Sequence, residues 1–109
     1  MKASVNNSSI LKFYAPAGTD AKAYFEVARR VGGATIYTAR GIWWSSQGEL
    51  FDEECTVIEI VHPISKVELL LQLAEEACEK FLADNPKELA TLAVIQGADG
   101  VKSVYLSRE

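Results

Sequence analysis

The residues best suited to chemistry lie in one stretch of the chain. Glu49, Asp52, Glu53, Glu54 and Glu59 fall between Arg40 and Lys66, an interval without Lys or Arg, and His62 follows them. Carboxylates favour hard cations and one imidazole adds a borderline ligand, so a divalent cation is the first cofactor to consider. Asp52, Glu53 and Glu54 are consecutive, however, and on a strand they point to alternating faces. They converge on one ion only if the strand is bulged; a solvated hairpin end accounts for them more simply. His62 precedes Pro63 and reads as a strand-to-helix turn rather than a catalytic base. Ser45, Ser46 and Cys55 have no partner histidine placed by any motif, so nucleophilic catalysis finds no constellation. GADG at residues 97–100 has too little context for a phosphate loop, since neither GxxxxGK[ST] nor GxGxxG occurs.

Trp43 and Trp44 are adjacent, so a regular strand sends them to opposite faces. One is expected in the core and the other at an interface, where tryptophan is enriched. Cys55 and Cys78 show no CxxC or Cys/His spacing and read as two small buried hydrophobes with reduced thiols.

The elements that position these residues follow from periodicity. Residues 10–14 alternate as a strand. A helix is expected from Thr19 or Asp20 to Val31, apolar at Ala21, Tyr24, Phe25, Ala28 and Val31, with Gly32-Gly33 stopping it. Residues 34–44 and 50–61 form two strands joined by the polar turn SSQG, an antiparallel hairpin. Ser65 and Glu68 make a capping box that opens a second helix. Its stripe is Val67, Leu70, Leu71, Ala74, Ala77, Cys78 and Phe81, with Leu69 and Leu73 beside it. Asn85-Pro86 ends it. Residues 89–96 are short, carry Val94 and Ile95 and end at Gly97, which favours a strand over a helix. Residues 101–106 alternate as a further strand.

The whole is one α+β domain over residues 10–109 behind a short polar tail at 1–9. Its order is the β-α-β-β-α-β of a ferredoxin-like fold with an extra C-terminal strand, both helices on one face of an antiparallel sheet. The first and third strands are then neighbours, so Lys12, Tyr14, Val57, Glu59 and Val61 share the face away from the helices. Such a mixed apolar face is rarely left bare. These residues and Trp43 are the expected interface of a homo-oligomer.

Composition narrows the class. The chain has 109 residues, 49% hydrophobic and 24% charged, which fits one globular domain. A net charge of −4 with scattered basic residues excludes a nucleic-acid partner. Apolar runs are far shorter than the roughly 20 residues of a membrane helix. The N-terminus lacks a signal-peptide pattern, so a cytoplasmic location is expected.

The hairpin GIWWSSQGELFDEECTVIEIVHP resembles the central hairpin of the CutA family, divalent-ion tolerance proteins related to PII signalling proteins. The likeness lies in an aromatic pair ending in Trp44, a short turn, the acidic stretch from Glu49 to Glu54, and the hydrophobic strand after it. NPKELATLAVIQG is similar to the family's His-Pro-Tyr-Glu-Val-Pro-Glu segment and its following strand, with Pro86 and Glu88 at matching positions. Asn85 and Lys87 replace the family's histidine and tyrosine. The resemblance implies a non-enzymatic cytosolic homotrimer in ion response or signalling, with a small-molecule effector or divalent ion in clefts between subunits. Trp44, Glu49, Asp52, Glu54, His62 and Glu88 are the residues expected there. Two alternatives stand beside it: a dimeric α/β-barrel-type ferredoxin-like enzyme, and a ligand-free assembly module.

Overall fold

Alternating aromatic and β-branched residues build five strands. They are β1 (Ser9–Pro16), β2 (Thr35–Trp44), β3 (Leu50–His62), β4 (Ala90–Gly97) and β5 (Gly100–Ser107). Two helices, α1 (Phe25–Arg29) and α2 (Val67–Asp84), lie between them. The structure is a computed structural model and describes residues 3, 7–20, 25–62, 67–88, 90–98 and 100–107. The segment expected as a strand at residues 89–96 is β4 from Ala90 on, with Leu89 outside the described residues.

The strands form one antiparallel sheet in the order β2-β3-β1-β4-β5, which leaves β2 and β5 as its edges. One side of the sheet carries α2. Leu70, Leu73, Ala74, Ala77, Cys78 and Phe81 of the helix pack on Leu11, Phe13, Ala15, Ile58, Ile60, Ala93 and Ile95. Phe13 and Phe81 meet edge to face with ring centroids 5.8 Å apart, a geometry that rings favour through their quadrupoles. Leu73, which the sequence sets beside the stripe, is only 1% exposed and belongs to the core.

The architecture is α+β, but it departs from the ferredoxin-like expectation. The fifth strand is the extra C-terminal one that the sequence suggests, returned along β4 by a tight turn between Gly97 and Gly100; the departure lies in the helices. The first helix is one turn among the described residues, and α2 alone makes extensive contact with the sheet. Gly32 and Gly33, at φ 95° and 146°, turn the chain after it, and the Gly33 N–H donates to the Ala28 carbonyl at 3.0 Å. Arg30 pairs with Glu76 and ties this turn to α2. Several sequence expectations lie outside the described residues: Ala21 and Tyr24, the Phe25 side chain, Ser65 of the capping box, Pro63, and most of the tail.

The hairpin outruns the rest of the sheet. β1 pairs with β3 only from Cys55 to His62, whereas β2 follows β3 out to Leu50. Residues 40–44 and 50–54 therefore project as a two-stranded arm from a molecule measuring 53 × 27 × 24 Å. Ser45 organises its tip: Ser45 Oγ accepts from the Gln47 and Glu49 N–H groups at 3.2 and 3.1 Å. Gly48, at φ 79°, supplies the left-handed residue that the turn requires. No helix among the described residues is long and apolar enough to cross a membrane.

Candidate functional site

Strand register decides which side chains meet. On the face away from α2, Tyr37, Val57, Tyr14, Leu92 and Tyr105 stand opposite one another in a row that crosses all five strands. A parallel row holds Thr35, Glu59, Lys12, Val94 and Ser103. Tyr14, Tyr37 and Tyr105 are 37%, 38% and 64% exposed, while Val57 between the first two is 1% exposed. The rings thus flank a dry aliphatic floor.

Glu59 is the hub of the polar row. Its Oε2 accepts from the Tyr37 hydroxyl at 2.9 Å and lies 3.7 Å from Lys12 Nζ. The second distance exceeds the roughly 2.7–3.2 Å of a nitrogen–oxygen hydrogen bond, so Lys12 faces Glu59 as a charge and keeps its donors for another acceptor. The hydrogen bond to Glu59 holds the Tyr37 phenol above its ordinary range, with desolvation and the nearby Tyr14 adding to the effect. Lys12 is the single Lys or Arg on this face among the described residues. Beside Glu59 lies an open groove of about 360 Å³, walled by residues 31–35 with Glu59 and Val61.

Further along the same face, Trp43 stacks on Phe51 with ring centroids 6.0 Å apart and planes at 15°. Gly41 makes this arrangement fit: a Cβ there would come within 2.9 Å of the Trp43 ring. All six residues expected at an interface, Lys12, Tyr14, Trp43, Val57, Glu59 and Val61, lie on this face.

The six residues expected in a ligand cleft are not brought together. Trp44, Asp52, Glu54 and His62 occupy the α2 side of the hairpin; Trp44 on β2 lies diagonal to Asp52, with Glu54 two residues further along β3. His62 lies about 27 Å beyond Glu54 at the strand rise, too far to share one small ligand with them. Asp52 is engaged by Arg40, whose Nε donates to Oδ1 at 2.7 Å and holds the carboxyl below its usual range. Glu49 sits in the Ser45 turn, and Glu88 follows α2, its N–H donating to the Asn85 carbonyl. No group of three His, Cys, Asp or Glu among the described residues could hold a metal ion. Neither tryptophan reaches the core: Trp43 is 43% and Trp44 66% exposed, because the arm extends past the helix. Cys78 is buried as expected, whereas Cys55 is half-buried on the uncovered face.

Tyr37, Thr35 and the Gly32-Gly33 wall of the groove escape the sequence reading. The signal existed in the hairpin. Once the SSQG turn sets Trp44 opposite Leu50, Trp43 stands opposite Phe51, and counting back by twos from Trp43 puts Tyr37 opposite Val57 on the face that carries Glu59.

No protein-family model matches the chain, and no curated protein matches it. Solved structures do. A phage SAM lyase in complex with S-methyl-5'-thioadenosine superimposes with a TM-score of 0.70 at 17% identity, covering 100% of this chain and 96% of that one. A phage SAM lyase in the apo state gives a TM-score of 0.63 at 19% identity, over 95% and 90% of the two chains. These likenesses overturn the CutA/PII-like resemblance and the non-enzymatic ion-response or signalling trimer that it implied. A short turn between two strands of alternating hydrophobicity is common to two-stranded ribbons in general, so the quoted hairpin pattern identified a shape and not a family. The chain has the fold of the phage SAM lyases over its whole length.

Proposed function

We propose that this protein is an oligomeric enzyme that binds and cleaves SAM on its uncovered sheet face, at Tyr14, Tyr37, Glu59 and Lys12 and the adjoining groove. The observation that carries the reading is the match, across the full chain, to an enzyme holding a thioether nucleoside. It agrees with the enzymatic alternative raised by the sequence.

The chemistry of the face supports it. Cleaving the bond from sulfur to the methionine-chain carbon of SAM sends the bonding pair to sulfur and turns a sulfonium cation into a neutral thioether, while the substrate's own carboxylate closes on that carbon as a lactone and makes the bond that replaces the one broken. Charge is lost on the way to the transition state. Surroundings that are apolar and poor in water therefore favour the transition state over the ground state. Tyrosine rings around Val57 offer such a setting, and ring faces also attract a ligand cation. Glu59 does not oppose the reaction, because Tyr37 and Lys12 already offset its charge. The face is open in a single chain, and a second copy laid on it would exclude water.

Incubating the purified protein with SAM and following S-methyl-5'-thioadenosine by chromatography and mass spectrometry tests the reading. Turnover above the spontaneous rate is expected, with light scattering reporting more than one copy per particle. No thioether release and no calorimetric binding of SAM would overturn it.

A further inference from the structure

Resting on that reading, we infer that the Lys12–Glu59 pair recognises the amino-acid end of the substrate, so that the site holds SAM and lets its thioether product go. SAM carries an ammonium and a carboxylate on one carbon at the end of its methionine chain; S-methyl-5'-thioadenosine carries neither. Recognising that zwitterion takes one anion and one cation side by side at the edge of a surface that accepts the nucleoside. Glu59 and Lys12 are directly opposed on neighbouring strands, 3.7 Å apart, in the row next to the tyrosines.

Three features set this pair apart from an ordinary surface ion pair. Lys12 is the single cation on the face among the described residues, whereas Arg30 and Arg40 pair on other sides of the molecule. Glu59 is anchored by Tyr37, which fixes its carboxylate while leaving the lysine loosely held. Glu59 also lines the groove, and Lys12 lies opposite it on β1, on the side away from the groove, so a ligand whose tail leaves the groove across Glu59 meets the carboxylate and then the ammonium. The zwitterion then inserts head to tail, its carboxylate on Lys12 Nζ and its ammonium on Glu59. Once the carbon–sulfur bond breaks, the nucleoside fragment loses both contacts and keeps only the ring contacts. Product release follows from the same geometry as substrate choice.

The test measures dissociation constants by calorimetry for SAM, decarboxylated SAM and S-methyl-5'-thioadenosine on the wild type and on Lys12→Met, with Lys12→Arg as the charge-retaining control. The wild type should bind SAM more tightly than its decarboxylated form by roughly tenfold or more, the usual worth of a charge-assisted hydrogen bond. Lys12→Met should bind the two equally and keep wild-type affinity for the thioether, and Lys12→Arg should restore most of the preference. Equal loss of SAM and thioether affinity in Lys12→Met, or a carboxylate preference that survives the substitution, would overturn the inference while leaving SAM binding intact. A wild type that binds neither SAM nor thioether would remove the underlying reading as well.

Discussion

Adding one methyl group at either of two glycines should separate the rigid part of this protein from its yielding part. Gly97 and Gly41 both lie in strands and neither has a positive φ, so alanine is allowed by the backbone at each. At Gly97 the new Cβ would lie 2.6 Å from Val67 Cγ2, at the first residue of α2, with Ser9 Oγ at 3.9 Å. Val67 is partly buried and packed against the core, and its β-branched side chain has few alternative rotamers in a helix. Overpacking of this kind costs about 1–3 kcal/mol. Alanine recovers about 0.4–1 kcal/mol by restricting the unfolded chain. The expected net loss is about 1–2 kcal/mol, which for a chain of this size is roughly 4–8 °C in Tm. At Gly41 the obstacle is the ring of Trp43, 2.9 Å away but 43% exposed and able to swing into solvent. Losing the stack on Phe51 costs about 0.5–1.5 kcal/mol, and the entropic gain cancels much of that. Gly41→Ala should therefore stay within about 1 kcal/mol of wild type. Urea unfolding read by circular dichroism supplies both numbers, with unchanged m-values as the sign that only stability moved. If Gly97→Ala unfolds at the wild-type midpoint, or Gly41→Ala loses as much as it does, the packing argument is wrong.

Two further outcomes follow from the charged and reactive groups. Burial pushes the Cys78 thiol up to about 11, with the nearby Thr91 hydroxyl acting in the opposite direction. At pH 8 a thiol reagent should therefore label half-buried Cys55 in the native protein and reach Cys78 only after unfolding, and a second native thiol would contradict the buried placement. Asp52 and Glu76 are both held below their ordinary range by hydrogen bonds from Arg40 and Arg30. A depressed folded value means that the contribution is present above the unfolded pKa, near 4, and is lost as pH falls through the folded one. Thermal midpoints should drop on acidification below about pH 5, less steeply in high salt because both pairs are exposed. A midpoint that rises on acidification would reverse the sign.

How much of this could be read from residue order depends on what each signal measures. Period-two alternation located β1, β3 and β5, with Leu11, Phe13, Ile58 and Ile60 facing one helix, whereas β2 was read from its β-branched and aromatic content and β4 from its length, Val94, Ile95 and the glycine that ends it. The stripe of α2 was equally clear. The first helix was not. Ala28 and Val31 suggested a long amphipathic element, but among the described residues only one turn is present before Gly32 and Gly33 redirect the chain. The candidate site was half legible. Lys12, Tyr14 and Glu59 were placed on the uncovered face by pattern alone, whereas Tyr37 needs the exact pairing of β2 with β3, a long-range quantity that no local spacing reports. The acidic residues drew attention through charge, yet Asp52 is occupied by Arg40 and His62 lies at the far end of β3. Density of charge along the chain says little about convergence in space.

The projecting hairpin gives β3 two environments. From Cys55 to Glu59 it is an interior strand, paired on both sides; before Cys55 it pairs with β2 alone among the described residues. An isolated ribbon is marginal in water, so amides near the tip can open and exchange with solvent while those of β1 wait for global unfolding. Phe51 and Glu59 ride on that one uninterrupted strand and point the same way. Whatever stiffens the tip, such as a neighbouring copy closing over the Trp43 ring, acts on a backbone that leads without a break to the carboxylate between Tyr37 and Lys12.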